Sequence, residues 1–186
     1  MALTRHRMTL DEFLDLPEEE PALEYFDGVV TQKMSPKIRH GALQGGGVML
    51  INLFAVPRKL ARAFPETRTT YAGMSTVPDI VVFRWDRIPA DEHGELPEEV
   101  FVHPDIAIEV ASPGQTLRSL SERCRWYVEN GVTISILIDA RRRLVRVFRP
   151  GQDAIDVQGS ERIDLGDVID GFSFMPDELF AALRAR

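Results

Sequence analysis

Two stretches constrain the fold of this chain more than any others: VPDIVVF at residues 77–83 and HPDIAIEVASP at residues 103–113. Each passes from Pro-Asp straight into a short run of Ile, Val and Ala. Runs of this length and composition, bounded by proline, read as strands. The second run has no polar alternation except its acids, as expected of a strand covered on both faces. A sheet covered in that way calls for an α/β layered architecture. Side chains alternate along a strand, so Asp105, Ala107, Glu109 and Ala111 share one face, and Ile106, Ile108 and Val110 the other. Glu109 therefore stands in an apolar run, where a carboxylate is costly unless it is paired, protonated or bound to a cation.

The rest of the chain supplies the helices and strands for such a fold. MTLDEFLDLPEEEP reads as a short helix, with Thr9 as N-cap, Glu12 at capping-box spacing and Pro17 as its stop. ALEYFDGVVTQKMSP reads as a hairpin turning at Asp27-Gly28. Residues 37–64 carry helical spacing through Leu43, Leu50 and Leu53, with Pro57 kinking or splitting them. A strand or hairpin is expected at 67–76, a strand at 79–84, and an acidic, Pro- and Gly-rich loop over 86–100. SLSERCRWYVENG reads as a helix opened by a Ser119/Glu122 capping box and closed at Asn130-Gly131. TISILID and LVRVF read as strands joined by an Arg-rich turn, and DELFAALRAR as an amphipathic helix. The triple glycine at 45–47 lacks the pattern of a phosphate-binding loop and reads as a place of close helix packing. Nothing divides the chain, so one domain over residues 1–186 is expected.

Composition narrows the function classes. The chain is 44% hydrophobic and 27% charged, in the range of a globule with a real core. No apolar run approaches the roughly 18 residues of a membrane helix. MALTRHRMTLDEF turns acidic early and lacks the apolar stretch of a signal peptide. The single cysteine, Cys124, excludes an internal disulfide and a multi-cysteine metal site, and fits a cytoplasmic location. The net charge of −7 excludes nucleic-acid binding by bulk charge. Such binding would need a local basic patch or cations held at an acidic site. The lysines are Lys33, Lys37 and Lys59; every other basic residue is an arginine.

If strands 79–84 and 105–111 are neighbours, Asp79 and Glu109 converge on one hard cation. Mg²⁺ suits one or two carboxylates, keeps several waters and leaves room for a phosphate oxygen. The ordered set LEYFDGVV, SPKIRHGAL, VPDIVVF, PDIAIEVASP, ERCRWYVENGV, ILID, VRVFRPG and IDGFSF resembles the bacterial putative restriction endonuclease family of the PD-(D/E)XK nuclease superfamily. The resemblance runs from about Met8 to Phe180. It implies a restriction-endonuclease-like fold, a central mixed β-sheet flanked by helices, with a Mg²⁺- or Mn²⁺-dependent phosphodiesterase site.

Carried over residue by residue, the resemblance makes Asp79 the acid of the Pro-Asp motif and Glu109 the acid of the (D/E)XK motif, both metal ligands. Glu24 is a further acid at the site, and His40 a candidate for orienting water or phosphate, with Gln44 one turn further on the same helix face. The superfamily's lysine belongs two residues after Glu109, where Ala111 stands. The family's alternative, four residues before a Tyr, is occupied by Arg123, ahead of Tyr127. A guanidinium can hold a phosphate or a transition-state charge but is a poor proton acceptor. The expected function is a nuclease acting on DNA, working as a homodimer. The alternative is a catalytically inactive nuclease fold serving as a nucleic-acid-binding or protein-interaction module. In the metal-free protein the crowded carboxylates should repel, so removing Asp79 or Glu109 is expected to stabilise it.

Overall fold

The computed structural model describes residues 8–186; the first seven residues of the stretch read for a leader lie outside them. In chain order the elements are α1 (Leu10–Leu14), β1 (Leu23–Phe26), β2 (Val29–Gln32), α2 (Ile38–Ala55), β3 (Ala61–Pro65), β4 (Thr69–Tyr71), β5 (Met74–Thr76), β6 (Ile80–Arg84), β7 (Ile106–Val110), α3 (Leu117–Glu129), β8 (Ile134–Asp139), β9 (Leu144–Phe148), β10 (Ile155–Gln158), β11 (Ile163–Asp164), β12 (Ser173–Phe174) and α4 (Pro176–Phe180). A six-stranded sheet in the order β10-β9-β8-β7-β6-β3 forms the centre. It is mixed: β7 and β8 run parallel, bridged by α3, and the other neighbours are antiparallel. A second sheet, β2-β1-β5-β4, holds the N-terminal hairpin.

The alternation read from the sequence sets the layers. Ile106, Ile108 and Val110 point with Ile80 and Val82 into the main core beneath α2 and α4. On the opposite face, Leu120, Cys124 and Val128 of α3 pack on Leu137 and Phe148. Burying a branched apolar side chain is worth about 1.5–3 kcal/mol, and the central strands β6, β7 and β8 are almost entirely buried. Two of the three adjacent glycines of α2 allow its close approach: a Cβ on Gly47 would lie 2.8 Å from Ile80 Cδ1, and one on Gly46 would lie 2.8 Å from Ala182 Cβ. No helix among the described residues is long and apolar enough to cross a membrane.

Several local expectations hold. Thr9 and Glu12 form the capping box of α1, and the β1–β2 turn passes through Asp27 and Gly28 at φ 50° and 75°, the left-handed pair a two-residue hairpin requires. Others are corrected. Helix α2 ends at Ala55, and residues 61–65 are a strand, with Ala61 and Ala63 turned inward against β6. Helix α3 starts two residues earlier than the Ser119 box: Thr116 is its cap, accepting the Ser119 N–H. The C-terminal helix is short, Pro176–Phe180, followed by a 3₁₀ turn at Ala181–Leu183.

Candidate active site

The pairing of β6 with β7 builds the centre of the site. Val81 faces Ala107 and Ile80 faces Ile108, where the ladder ends; Asp79 immediately precedes Ile80 and Glu109 immediately follows Ile108, so the two acids lie at the same end of the antiparallel pair. Glu109 is turned to α3, where Tyr127 and Arg123 meet it. Asp79 Oδ2 accepts the N–H of Val110, the residue after Glu109, at 2.7 Å. That bond ties the Pro-Asp segment to the end of β7.

Asp79 is also held from the other side of the sheet and from the hairpin. Its Oδ1 lies 3.2 Å from His40 Nε2, on the first turn of α2. The other ring nitrogen of His40, Nδ1, lies 2.8 Å from Ser112 Oγ. One turn on, Gln44 donates its Nε2 to the Asp79 carbonyl at 2.8 Å. Lys33, just past β2, donates its Nζ to Asp79 Oδ1 at 2.8 Å and to the Val77 carbonyl at 2.8 Å. Burial by itself would raise the Asp79 pKa, but the bond from His40 and the Lys33 ammonium hold it below the usual carboxylate value. Burial likewise opposes the charge on Lys33, and Asp79 and Glu109 more than compensate, so its pKa is raised.

Glu109 has fewer donors. Tyr127, buried on α3, donates its hydroxyl to Glu109 Oε1 at 2.7 Å, and Arg123 Nη1 stands 3.7 Å from the same oxygen. Oε2 receives no hydrogen bond from the described residues. Burial, reinforced by the charges of Asp79 and Glu24 and only partly relieved by Arg123 and Lys33, pushes the Glu109 pKa up to about 7. Arg123 turns mainly to Glu24, whose Oε1 and Oε2 it reaches through Nη1 at 2.8 and 2.9 Å. Glu24 Oε1 accepts the Val77 N–H as well. The alternation of β1 and β5 puts Glu24 on the same sheet face as Thr69, Tyr71 and Thr76. The hydroxyls of those three are buried without a hydrogen-bond partner among the described residues. Unmet hydroxyls are uncommon in a folded interior, and here three line one sheet face.

All five residues expected from the sequence, Glu24, His40, Asp79, Glu109 and Arg123, thus meet in one place. Asp105, on the same strand face as Glu109, belongs elsewhere: it is held by Arg87 and by the Arg84 N–H at the other end of β7. Lys33 and Ser112 are additions that no motif announced, as is Glu66. His40, Glu66 and Asp79 each offer a donor atom within 4.8 Å of the others. The donor set suits a hard divalent cation: oxygen donors from two neighbouring strands, one Glu109 oxygen without a donor among the described residues, and four carboxylates, Glu24, Glu66, Asp79 and Glu109, against the two fixed cations Lys33 and Arg123.

A groove of about 690 Å³ opens from His40 and Ser112. Lys37 and Arg39, at the start of α2, and Arg141 and Arg142, from the β8–β9 turn, line it. Arg142 is paired with Asp139, whereas Lys37, Arg39 and Arg141 have no ion-pair partner among the described residues.

A mixed central sheet flanked by helices, with Asp79 and Glu109 at one end of its β6–β7 pair, is the restriction-endonuclease-like fold. The chain belongs to the family described as "Putative restriction endonuclease" (Uma2), which it matches over residues 10–183. It is similar to the crystal structure of a putative nuclease of the DUF820 group from Anabaena variabilis, with 37% sequence identity and a TM-score of 0.90, covering 95% of this chain and 99% of that one. No curated protein matches it.

Proposed function

We propose that the protein is a divalent-metal-dependent nuclease that hydrolyses phosphodiester bonds in DNA, with Asp79 and Glu109 as the metal ligands. One observation carries the reading: two buried carboxylates, Asp79 and Glu109, lie at the same end of the β6–β7 pair, tied by the Val110 N–H, and Glu109 keeps an oxygen free of donors among the described residues. Mg²⁺ or Mn²⁺ bound there would polarise a phosphoryl oxygen and make water a better nucleophile.

The chain's own residues do the positioning. Tyr127 fixes the Glu109 carboxyl by its Oε1, leaving Oε2 without a donor among the described residues. The Val110 N–H fixes Asp79 in the same way. Glu24 orients Arg123, whose guanidinium stays charged and steadies negative charge on a phosphate placed against the acids. His40, bridging Asp79 through Nε2 and Ser112 through Nδ1, stands where the site meets the groove and is placed to exchange a proton at Nδ1 by way of the Ser112 hydroxyl. The cations of the groove supply the local basic patch that a chain of net charge −7 needs to hold a nucleic-acid strand.

The test is nicking of supercoiled plasmid in Mg²⁺ or Mn²⁺. The natural protein is expected to nick and Glu109→Ala to be inert. A second reading keeps the nucleic-acid groove and drops the chemistry, and Arg123 favours it, because both lysine positions lack lysine and the Arg123 Nη1 is committed to Glu24. Under that reading the natural protein binds the plasmid and leaves it intact in either metal.

A further inference from the structure

The motif positions where a lysine is expected hold Ala111 and Arg123, yet an ammonium is present in the site. Lys33 comes from the exit of β2, where its own N–H is anchored to the Ala22 carbonyl at 2.9 Å. Its side chain is 15% exposed and ends on Asp79 Oδ1 and the Val77 carbonyl. An ammonium has three N–H donors; two are used, and the third has no acceptor among the described residues. Asp79 Oδ1 is saturated in turn. A carboxylate oxygen offers about two lone-pair sites, and here they face Lys33 Nζ and His40 Nε2. A cation approaching Oδ1 meets the Lys33 ammonium already there.

Charge counting shows what the ammonium does next. Glu24, Glu66, Asp79 and Glu109 against Lys33 and Arg123 leave two net negative charges. A divalent cation brings the site to neutral. Without Lys33 the loaded site would stay negative and would oppose both the phosphodiester and the charge that builds up on its phosphoryl oxygens in the transition state. Lys37 and Lys59 are exposed and cannot substitute from inside the cluster.

Building on the nuclease reading, we propose that Lys33 has two successive roles. It is the counter-ion of Asp79 while the metal is absent, and it becomes the catalytic ammonium that holds the scissile phosphate once the metal takes Asp79. It acts as a fixed positive charge throughout.

The test pairs metal binding with kinetics. Lys33→Met removes the competing cation, so Mn²⁺ titrated into the DNA-free protein is expected to bind about fivefold tighter or more. At saturating Mn²⁺ the single-turnover cleavage rate is expected to fall about a hundredfold, the scale of losing one charge-stabilising donor. A lysine that only props up Asp79 gives the opposite pattern: weaker Mn²⁺ binding, with the rate restored by excess metal. Either of those results overturns the proposal. Lys33→Gln keeps a neutral donor to Asp79 and serves the same two measurements if the Met variant does not fold. A natural protein that fails to nick DNA sinks the nuclease reading by itself. Lys33 is then judged by Mn²⁺ affinity and by Ca²⁺-supported oligonucleotide binding, where Lys33→Met is expected to weaken DNA binding about tenfold. Unchanged oligonucleotide binding there overturns its phosphate role.

Discussion

Glu109 and Asp79 lie at the same end of the β6–β7 pair, yet protons act on them in opposite senses. Burial and the neighbouring carboxylates raise Glu109 from 4.5 to about 7. The folded protein therefore keeps a proton that the unfolded chain releases, and stability falls as pH rises from about 4.5 to about 7. The full effect is on the order of 3 kcal/mol. Glu109→Gln keeps an acceptor for Tyr127 and removes the charge. In metal-free protein it should raise the melting temperature clearly at pH 8 and barely at pH 4. Thermal melts across that range check this, and an equal shift at both ends would mean the buried charge is not what costs stability. Asp79 has its pKa lowered by His40 and Lys33, so its contribution is present above 3.8 and is lost as pH falls through its folded value. Asp79→Asn leaves the Lys33 ammonium without its carboxylate, and should destabilise by about 2 kcal/mol or more at pH 7. The same melts should show that loss fading in acid. The two acids repel one another equally; at Glu109 burial and that repulsion prevail, whereas at Asp79 the bond from His40 and the Lys33 ammonium outweigh burial.

At the scale of elements, α2 is where glycine decides the packing. Gly45 has nothing within 4 Å of an added Cβ, whereas one on Gly46 meets Ala182 Cβ at 2.8 Å, a group with no rotamer to move aside. Gly45→Ala should stabilise by up to about 1 kcal/mol through helix propensity. Gly46→Ala gains the same propensity and pays for the clash, giving a net loss of about 1–2 kcal/mol. Urea denaturation of the two variants checks the opposite signs. The close-packing role of these glycines could be read from the sequence, as could β6 and β7, whose apolar runs and acids point to one another. The end of α2 could not. ARAFP has alanines at its inward positions, small enough to lie against β6 but carrying no strand signal. Lys33 was also illegible, because its partner Asp79 lies 46 positions on and no motif links them. Arg123 and Glu24, 99 positions apart, could be placed in one site by resemblance, but their bond could not be foreseen.

For the molecule as a whole, the conflict is between a net charge of −7 and a polyanionic substrate. The resolution is local. Arg146 is neutralised by Asp156 and Arg149 is paired with Asp167, so the arginine-rich β9 face offers little free charge. Lys37, Arg39 and Arg141 keep theirs, and all three line the groove that reaches His40. If a duplex lies there, each phosphate contact contributes about −0.9 to the slope of log K against log salt, and about −0.7 if the strand is single. Combining Lys37→Ala with Arg141→Ala should therefore flatten the slope by nearly 2 units for a duplex and by about 1.4 for a single strand. Arg146→Ala should leave it unchanged. The measurement is anisotropy of a labelled oligonucleotide in Ca²⁺ between about 50 and 200 mM salt, the range over which such contacts cost orders of magnitude in affinity. A slope that responds to Arg146 and ignores the groove pair would move the strand onto the β9 face, away from the acids, and leave the groove without a role in binding.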